Sequence, residues 1–331
     1  MNKKIAIMGA GSWGTALAII LTKKNDVLLW CYEKEVADEI ELNRTNKDFL
    51  ANVELPENII PITDIEKIKN VDIIINTIPT QFIRSVYSQV KFPIDNKIFI
   101  NGAKGIEKES LKTIFEVFNE ILNVSSDNYV SLTGPSHAEE VSKNVPTAVV
   151  AASRNIDLAK YIRDLITTES FRVYSSDDII GCELGGALKN VIAIAFGIAE
   201  VLDFGDNTKA MLITRGLVEM SRLGAIFGAN KNTFSGLSGL GDLVVTCNSK
   251  YSRNKTVGKL LGNGVSVDDI INRNKMVAEG IETTKSIYLL SKKMEIELPI
   301  TEQVYNIIYN GLSASQAVLN LLSRETKDEM W

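Results

Sequence analysis

The chain has 331 residues, enough for about two ordinary domains, and 45% of its residues are hydrophobic while 23% are charged. That composition is typical of a globular protein with a buried core, and the net charge of −5 argues against a general nucleic-acid binder. Three cysteines, odd in number and far apart, predict no disulfide framework and a reduced, cytoplasmic compartment. The single histidine, His137, leaves no usual spacing of zinc ligands, so we expect no metal.

Short apolar runs alternate with helical patterns in the first half of the chain. The apolar run near the N-terminus is interrupted by glycines at loop spacing and lacks a cleavage site, which argues against a signal peptide. The runs predict a helix at residues 15–24 and strands at residues 4–8, 27–30, 71–78, 98–100, 129–132 and 148–150. Near-continuous apolar strands separated by helices indicate an α/β fold with a mostly parallel, doubly wound sheet. Such sheets bind ligands at the carboxyl ends of their strands.

The second half of the chain changes to long helical patterns. They predict helices at residues 183–202, 209–227, 252–261, 283–293 and 300–310. We place a domain boundary near residue 180, which gives a nucleotide-binding domain at residues 1–180 and an all-α domain at residues 181–331. The apolar stretch at residues 191–199 is too short to span a bilayer, so we expect no membrane insertion.

The loop after the first predicted strand fits the pattern GxGxxG, with glycines at Gly9, Gly11 and Gly14. In this pattern the first glycine permits a tight turn, the second lets a pyrophosphate approach the backbone, and the third lets the helix pack on the strand. A strand before the loop and a helix after it therefore predict a Rossmann domain that holds NAD or NADP at a helix N-terminus. A glycine turn for FAD or another nucleotide is the alternative.

The end of the second predicted strand bears on which coenzyme is bound. Glu33 stands where an acid usually accepts the ribose hydroxyls of NAD. Tyr32 and Lys34 flank it, and Lys34 could accept a 2′-phosphate, so NADP stays open.

Lys189 lies in a predicted helix that is apolar nearly all round, and we expect it to be buried. Burial lowers the pKa of a lysine, and a lysine that titrates near neutrality can act as a general acid or base. The alternative is a lysine that extends its ammonium to the surface. Asp242 is one carboxylate among apolar residues in a glycine-rich segment, and Lys189 is its natural partner.

Three further segments carry polar groups that suit a phosphorylated ligand. Lys104 follows a strand and stands between two glycines, although a solvated loop lysine is an equally good interpretation. The loop with Gly134 and Ser136 also leaves a strand and enters a helix, whereas the neighbouring His137 fits a structural role better. The sequence Ser-Arg-Asn at 252–254 offers a guanidinium fork with a hydroxyl and an amide beside it, or simply a helix cap with a surface arginine.

Taken together these segments resemble the bacterial NAD(P)-dependent glycerol-3-phosphate dehydrogenases over essentially the whole chain. The matching motifs are GAGSWGTALA at 9–18, KGI at 104–106, LTGPS at 132–136, GALKNVIA at 186–193, GLGD at 239–242, TC at 246–247, SRN at 252–254 and VAEG at 277–280. The resemblance implies a cytosolic enzyme that interconverts sn-glycerol 3-phosphate and dihydroxyacetone phosphate and supplies glycerol 3-phosphate for phospholipids. A homodimer is one option for its assembly.

The resemblance also implies roles for individual residues. Lys189 matches the family's proton acceptor, and Asp242 would position its ammonium. Substrate contacts are implied for Lys104, Gly134, Ser136, Lys189, Asp242, Ser252, Arg253 and Asn254. Beside the glycine loop and the pair Tyr32 and Glu33, coenzyme contacts are implied for Ser12, Trp13, Lys104, Ala138, Arg253, Val277 and Glu279.

Two departures from the family pattern matter. The family often has Arg or His where this chain has Tyr32 and Glu33, which weakens the case for NADP. The residue after Ser136 varies in the family, which weakens a catalytic case for His137. A β-hydroxyacid or 6-phosphogluconate-type dehydrogenase is the rival enzyme, but neither would be expected to combine GLGD at 239–242 with SRN at 252–254. A regulator that binds NAD without turnover would need a nucleic-acid or partner-binding module, and no basic recognition helix is evident.

Overall fold

Eight strands form one sheet in the computed structural model, which describes residues 3–94, 96–273 and 278–329. The strands are β1 (Ile5–Met8), β2 (Val27–Trp30), β3 (Ile59–Ile62), β4 (Ile73–Asn76), β5 (Ile98–Asn101), β6 (Tyr129–Thr133), β7 (Thr147–Ala152) and β8 (Phe171–Ser176). Their order across the sheet is β3-β2-β1-β4-β5-β6-β7-β8, and every neighbouring pair is parallel except β6 with β7. The predicted α/β fold with a mostly parallel sheet is therefore confirmed.

Both faces of the sheet are covered, as the apolar strands predicted. Ile5 and Ile7 of β1 point into one hydrophobic core, whereas Ala6 and Met8 point into a second core on the opposite face. All four side chains are buried. A strand that is buried on both sides needs apolar residues at every position, which is why β1 reads as a continuous run.

The prediction did not include the two outermost strands. β3 contains Pro61, which has no N–H for a ladder, and Ile60 beside it is exposed. In β8 the exposed Arg172 and Tyr174 alternate with buried residues. Proline and alternating polarity are typical of edge strands. Because neither gives a continuous apolar run, the sequence pattern did not predict these two strands.

Helices cover the sheet and form most of the second half of the chain. In the parts that the structure describes they are α1 (Ser12–Leu21), α2 (Lys34–Asn43), α3 (Ile83–Tyr87), α4 (Ile114–Leu122), α5 (Ala138–Val141), α6 (Ile156–Ile166), α7 (Ile179–Val201), α8 (Gly205–Ile226), α9 (Lys231–Phe234), α10 (Asp242–Asn248), α11 (Arg253–Gly262), α12 (Val267–Arg273), α13 (Glu279–Lys293), α14 (Pro299–Tyr309) and α15 (Ala314–Leu322). The five long helices predicted in the second half correspond to α7, α8, α11, α13 and α14. The first helix begins at Ser12 instead of residue 15.

Helix α7 is the centre of the helical half, and almost all of its residues are buried. It crosses α11 at very short range, because a Cβ on Gly197 would lie 2.1 Å from the Lys255 carbonyl oxygen. A Cβ on Gly258 would meet the Ile194 carbonyl oxygen at the same 2.1 Å. Glycine on both helices thus lets the two backbones touch.

The length of α7 corrects one step of the sequence argument. The apolar stretch at 191–199 belongs to a helix of 23 residues, which is long and apolar enough to cross a membrane by length and composition alone. Of its most apolar window, 89% is buried inside the protein, so packing against the other helices accounts for its composition. The last strand ends at Ser176 and α7 begins at Ile179. A domain boundary near residue 180 stays a prediction.

Candidate active site

The glycine loop joins β1 to α1 at the point where the strand order reverses, between β1 and β4. Gly9 has a φ of +112°, a conformation that favours glycine. A Cβ on Gly14 would lie 1.9 Å from the Gly9 carbonyl oxygen, so α1 and the turn approach too closely for any side chain. A Cβ on Gly11 would meet nothing within 4 Å, so the loop is open there to an approaching group.

A residue far along the chain holds this loop from behind. The buried side-chain amide of Asn46 donates to the Ala10 carbonyl oxygen at 2.8 Å and to the Thr15 hydroxyl at 2.9 Å. The sequence reasoning missed Asn46, because a single asparagine after a helix carries no pattern that points to a loop 36 residues earlier.

Trp13 contributes an unsatisfied donor next to the loop. Its indole N–H is buried and has no hydrogen-bond partner among the described residues. The same nitrogen would lie 2.8 Å from a Cβ on Gly102, which follows β5. Ser12 and Ala138 are buried nearby, since α5 packs on α1. An open glycine loop beside an orphaned donor fits a bound nucleotide.

Tyr32 and Glu33 follow β2 at the same edge of the sheet. Both side chains are exposed, with Tyr32 at 75%, and the Tyr32 ring lies edge-on to Trp30. Lys34 forms an ion pair with Asp38 at 3.0 Å, so its ammonium is already engaged.

Asp242 lies between two lysines that come from different halves of the chain. Its carboxylate accepts a hydrogen bond from Lys104 Nζ at 2.6 Å and another, through its second oxygen, from Lys189 Nζ. Asp242 is 1% exposed and Lys189 is 7% exposed. The predicted burial of Lys189 and its pairing with Asp242 are confirmed, and the structure adds Lys104 to the pair.

Glycines explain how Asp242 reaches this position. Residues Leu237–Gly241 form a π-helical turn that leads directly into α10. A Cβ on Gly239 would lie 2.0 Å from the Phe234 carbonyl oxygen, and one on Gly185 of α7 would lie 2.5 Å from the Ser238 carbonyl oxygen. The turn therefore packs directly on the α7 backbone, one helical turn from Lys189.

Thr246 completes the surroundings of Lys189. Its hydroxyl accepts a hydrogen bond from Lys189 Nζ at 2.9 Å and donates to the Asp242 carbonyl oxygen at 2.5 Å. In the sequence Thr246 belongs to a matching motif, but no role is predicted for it. Thr246 follows Asp242 by four residues, and on a helix that spacing puts two side chains on the same face. The spacing could therefore have predicted that the two residues lie together.

The charges of this cluster set the protonation of its members. Burial, followed by the charge of Lys104, lowers the pKa of Lys189 to about 7, although Asp242 opposes the shift. Burial works against ionisation of Asp242, but the two ammonium groups hold the pKa of that carboxyl below its usual value. Near neutral pH the cluster therefore contains an ionised aspartate and a lysine that is partly neutral.

The loop between β6 and α5 lies against this cluster. Gly134, with a φ of +131°, presents its carbonyl oxygen to Lys104 Nζ at 3.0 Å and to the Ser136 hydroxyl at 2.9 Å. Burial, and then the charge of Lys189, lowers the pKa of His137 to about 4. His137 is therefore neutral at physiological pH. Its ring packs against that of Tyr251, with 6.0 Å between the ring centroids.

The Ser-Arg-Asn segment at residues 252–254 caps α11 and connects it to two other helices. The Ser252 hydroxyl caps the helix by accepting from the Lys255 N–H at 3.2 Å, and Arg253 is exposed beside it. Asn254 is buried and ties three helices together, since it donates to Asn190 of α7 and accepts from the Gly280 N–H of α13, both at 2.9 Å.

Glu279, the first residue of α13, contacts the short helical turn that follows β4. One carboxylate oxygen accepts from the Thr80 N–H at 2.7 Å, while the other is buried without a hydrogen-bond partner within the described residues. Burial raises the pKa of Glu279 to about 7, although Arg253 opposes the shift. Val277, also predicted to contact the coenzyme, lies outside the described residues.

Two family models match most of this chain. The N-terminal model of the NAD-dependent glycerol-3-phosphate dehydrogenases covers residues 4–159, and the C-terminal model covers residues 178–319. The chain belongs to the NAD-dependent glycerol-3-phosphate dehydrogenase family. The predicted family resemblance is thus confirmed over both halves.

Relatives of this dehydrogenase family match at full length. The chain is 47% identical to glycerol-3-phosphate dehydrogenase [NAD(P)+] of Pelotomaculum thermopropionicum, covering 100% of this chain and 96% of that protein. It is 46% identical to the Bacillus subtilis enzyme of the same name, covering 99% and 96%. The crystal structure of glycerol-3-phosphate dehydrogenase from Coxiella burnetii superposes with a TM-score of 0.92 at 39% identity, covering 98% of this chain and 99% of that one. A D-mandelate dehydrogenase, at 15% identity and a TM-score of 0.62, shares the fold alone.

The structure brings together most residues that the sequence assigned to the dehydrogenase site. Lys104, Gly134 and Ser136 meet Asp242 and Lys189 at the junction of sheet and helices. The glycine loop with Trp13 forms a second group, and Glu279 beside Thr80 forms a third. Tyr32 and Glu33 stand apart at the end of β2. No cluster of three His, Cys, Asp or Glu side chains suited to a metal occurs in the described ranges.

Proposed function

We propose that this protein interconverts sn-glycerol 3-phosphate and dihydroxyacetone phosphate with NAD or NADP as the coenzyme. The observation that carries the proposal is Lys189, a buried lysine with a pKa near 7 that is bonded to Asp242 and Thr246. Membership of the glycerol-3-phosphate dehydrogenase family supports the substrate and the type of reaction.

Lys189 acts as the proton carrier in this mechanism. Its neutral amine takes the proton of the C2 hydroxyl when glycerol 3-phosphate is oxidised, and its ammonium returns a proton to the C2 oxygen in reduction. A bound nicotinamide would supply the hydride chemistry, accepting the hydride in oxidation and donating it in reduction. Asp242 and Thr246 fix the Nζ atom by hydrogen bonds, which aligns it for transfer.

The start of α11 anchors the phosphate of the substrate. Arg253 offers a planar fork for two parallel hydrogen bonds, and the N-terminus of the ten-residue helix favours an anion. Ser252 and Lys104 add a hydroxyl and a second cation. Asn254 is engaged with α7 and α13, so we propose that it contacts substrate only through its remaining N–H. Binding energy from the phosphate then orients C2 for reaction.

The glycine loop and its neighbours would hold the coenzyme. The loop would receive the pyrophosphate at the start of α1, and Trp13 would offer its unpartnered N–H. The remaining proposed coenzyme contacts are Ala138, Val277 and Glu279. We propose that Arg253 and Lys104 contact both the coenzyme and the substrate. The unpartnered oxygen of Glu279 supports its part in this set.

Initial rates with dihydroxyacetone phosphate and reduced coenzyme test the proposal. We expect turnover by the wild type, loss of at least about a thousandfold in Lys189→Met, and near-normal turnover in Lys293→Met, which removes an exposed lysine. Arg253→Ala should raise KM for the phosphorylated substrate far more than it lowers kcat. Turnover of a β-hydroxy acid in preference to dihydroxyacetone phosphate would contradict the assignment.

The remaining parts of the proposal concern the protein in the cell. We propose a cytoplasmic enzyme that is not inserted in the membrane and that provides glycerol 3-phosphate for phospholipid synthesis. We also propose a homodimer, which sedimentation at micromolar concentration tests. A domain boundary near residue 180 is proposed as well, and limited proteolysis tests it.

A further inference from the structure

Two buried carboxamides face each other where β4 and β5 end. Asn76 is the last residue of β4, Asn101 is the last residue of β5, and the two are paired in register. Both side chains are fully buried, and the Asn76 Nδ2 donates to the Asn101 Oδ1 at 2.9 Å. The other residues of the two strands are isoleucine or phenylalanine. The pair therefore interrupts two apolar strands at the edge of the sheet that carries the candidate site.

Stability alone does not account for this pair. Burying a carboxamide costs free energy unless its atoms are hydrogen-bonded. The Oδ1 atom of Asn76 has no hydrogen-bond partner among the described residues, so its burial is only partly compensated. An apolar side chain, such as that of Met8 at the same register of β1, would avoid this cost. The pair therefore points to a role other than packing.

Asn101 fixes the loop that follows β5. Its Oδ1 accepts from the Ala103 N–H and its Nδ2 donates to the Ala103 carbonyl oxygen, both at 3.1 Å. The Gly102 N–H donates to the Asn76 carbonyl oxygen at 2.8 Å. Both loop residues are thus bonded to the strand ends, and Lys104 is the next residue along the chain.

Lys104 depends on a fixed starting point for its reach. Its ammonium donates to Asp242 at 2.6 Å and to the Gly134 carbonyl oxygen at 3.0 Å. The stem of its side chain lies along α7, where a Cβ on Gly186 would be only 3.2 Å from the Lys104 Cγ. A hydrogen bond to nitrogen requires a separation of about 2.7–3.2 Å. A small displacement of the loop would therefore detach Lys104 from the carboxylate that also binds Lys189.

We propose that Asn101, supported by Asn76, is a positioning residue for catalysis: the pair fixes the loop after β5 and thereby keeps Lys104 bonded to Asp242. This inference rests on the proposed function, in which Lys189 is the base. The positive charge of Lys104 favours the neutral form of Lys189. Releasing the loop should therefore raise the pKa of Lys189 although no atom of that lysine is changed.

The other groups around Lys189 do not obscure this effect. The charged or titratable side chains that face it are Asp242, Lys104, His137 and Cys247. Burial lowers the pKa of His137 to about 4 and raises that of Cys247 to about 12, so both are uncharged near neutral pH. Asp242 stays ionised, because the two ammonium groups outweigh its burial. A titration near pH 7 therefore reports Lys189 and the cation beside it.

The pH profile of kcat/KM for glycerol 3-phosphate tests the inference. Asn101→Ala removes the bonds to Ala103 and to Asn76, whereas Asn76→Ala leaves those to Ala103 in place. Lys104→Met removes the cation itself. Ser131→Ala is the matched control, because Ser131 lies opposite Asn101 in β6, is equally buried and has a hydroxyl without a partner in the described ranges.

We expect Lys104→Met to raise the apparent pKa by at least about 1 pH unit, and Asn101→Ala by at least about 0.5 pH unit. Asn76→Ala should give a smaller rise, and Ser131→Ala should leave the apparent pKa within about 0.2 pH unit. In the Lys104→Met background Asn101→Ala should add no further rise, since it acts through that lysine. A merely structural role would lower kcat/KM by the same factor at every pH.

Acetylation of Lys189 by acetic anhydride measures the same pKa without substrate. Only the neutral amine reacts, so the extent of labelling at each pH, quantified by mass spectrometry, gives the titration. If neither coenzyme supported turnover while the labelling followed the expected order of variants, the proposed function would fail and the positioning of Lys104 would stand.

An unchanged pKa of Lys189 in Asn101→Ala would overturn the inference. A rise that persisted in the Lys104→Met background, or an equal rise in Ser131→Ala, would overturn it as well. If Asn101→Ala does not fold, Asn76→Ala decides by the same criteria: a rise that vanishes in the Lys104→Met background supports the inference, and no rise refutes it.

Discussion

Replacing Lys189 by methionine should abolish activity and change how stability depends on pH. The pKa of Lys189 falls from 10.5 to about 7 in the folded protein. Between these values the unfolded chain binds more protons than the folded one, so this lysine makes the wild type gain stability as pH rises. The variant has no such group, and its stability lacks this dependence.

The structure gives the size of the effect. Giving up the lysine proton costs the folded wild type about 4 kcal/mol at pH 7 and about 2 kcal/mol at pH 9, by linkage from the two pKa values. Against this, the variant loses the hydrogen bonds to Asp242 and Thr246, together worth about 3 kcal/mol. The hydrogen-bond loss is the same at both pH values, so the stability of Lys189→Met relative to the wild type should fall by about 2 kcal/mol between pH 7 and pH 9.

Equilibrium urea unfolding at both pH values measures this difference. Lys293→Met, which removes an exposed lysine at the end of α13, is the control and should differ from the wild type by the same small amount at both pH values. If Lys189→Met shifted the free energy of unfolding equally at pH 7 and pH 9, the lowered pKa of Lys189 would be refuted.

Three further outcomes follow from the same geometry. The kcat/KM for oxidation of glycerol 3-phosphate should rise with pH through an apparent pKa near 7, because the neutral amine of Lys189 is the base. A flat profile from pH 6 to 9 would exclude Lys189 as the base. Gly14→Ala places a Cβ 1.9 Å from the Gly9 carbonyl oxygen, which forces α1 and the turn apart. The affinity for NADH, measured by fluorescence titration, should therefore fall at least about a hundredfold. Retained affinity would contradict the requirement for glycine at this position. Asn254→Ala leaves the Gly280 N–H and an amide of α7 unpaired, which should lower the free energy of unfolding by about 2–4 kcal/mol; a change confined to KM would contradict the structural part of its role.

Sequence periodicity predicted the layered fold because burial on both faces leaves a simple pattern. β1 is apolar at all four positions, and the residues of α7 are apolar nearly all round, so both elements could be identified without a structure. α10 could not, because its seven residues follow a glycine-rich turn and include β-branched side chains that disfavour helices. Contacts with α7, which no local pattern encodes, support it.

The candidate site was predictable to a similar, uneven degree. Burial and charge alone paired Lys189 with Asp242, since an apolar context leaves each with few other partners. The distance between Lys104 and Asp242 depends on how the sheet and the helices meet, so no spacing along the chain reveals it. Asn46 lies outside the helices and strands, and Thr80 begins a three-residue helical turn, so their hydrogen bonds to remote residues leave no periodic pattern in the sequence.

The bridging position of Asp242 makes the proton affinity of Lys189 depend on a residue of another element. Lys104 belongs to the loop after β5 and Lys189 belongs to α7, and both ammonium groups donate to the same carboxylate. The positive charge of Lys104 lowers the pKa of Lys189. The basicity of the lysine in the helical half is therefore set in part by where the sheet holds Lys104.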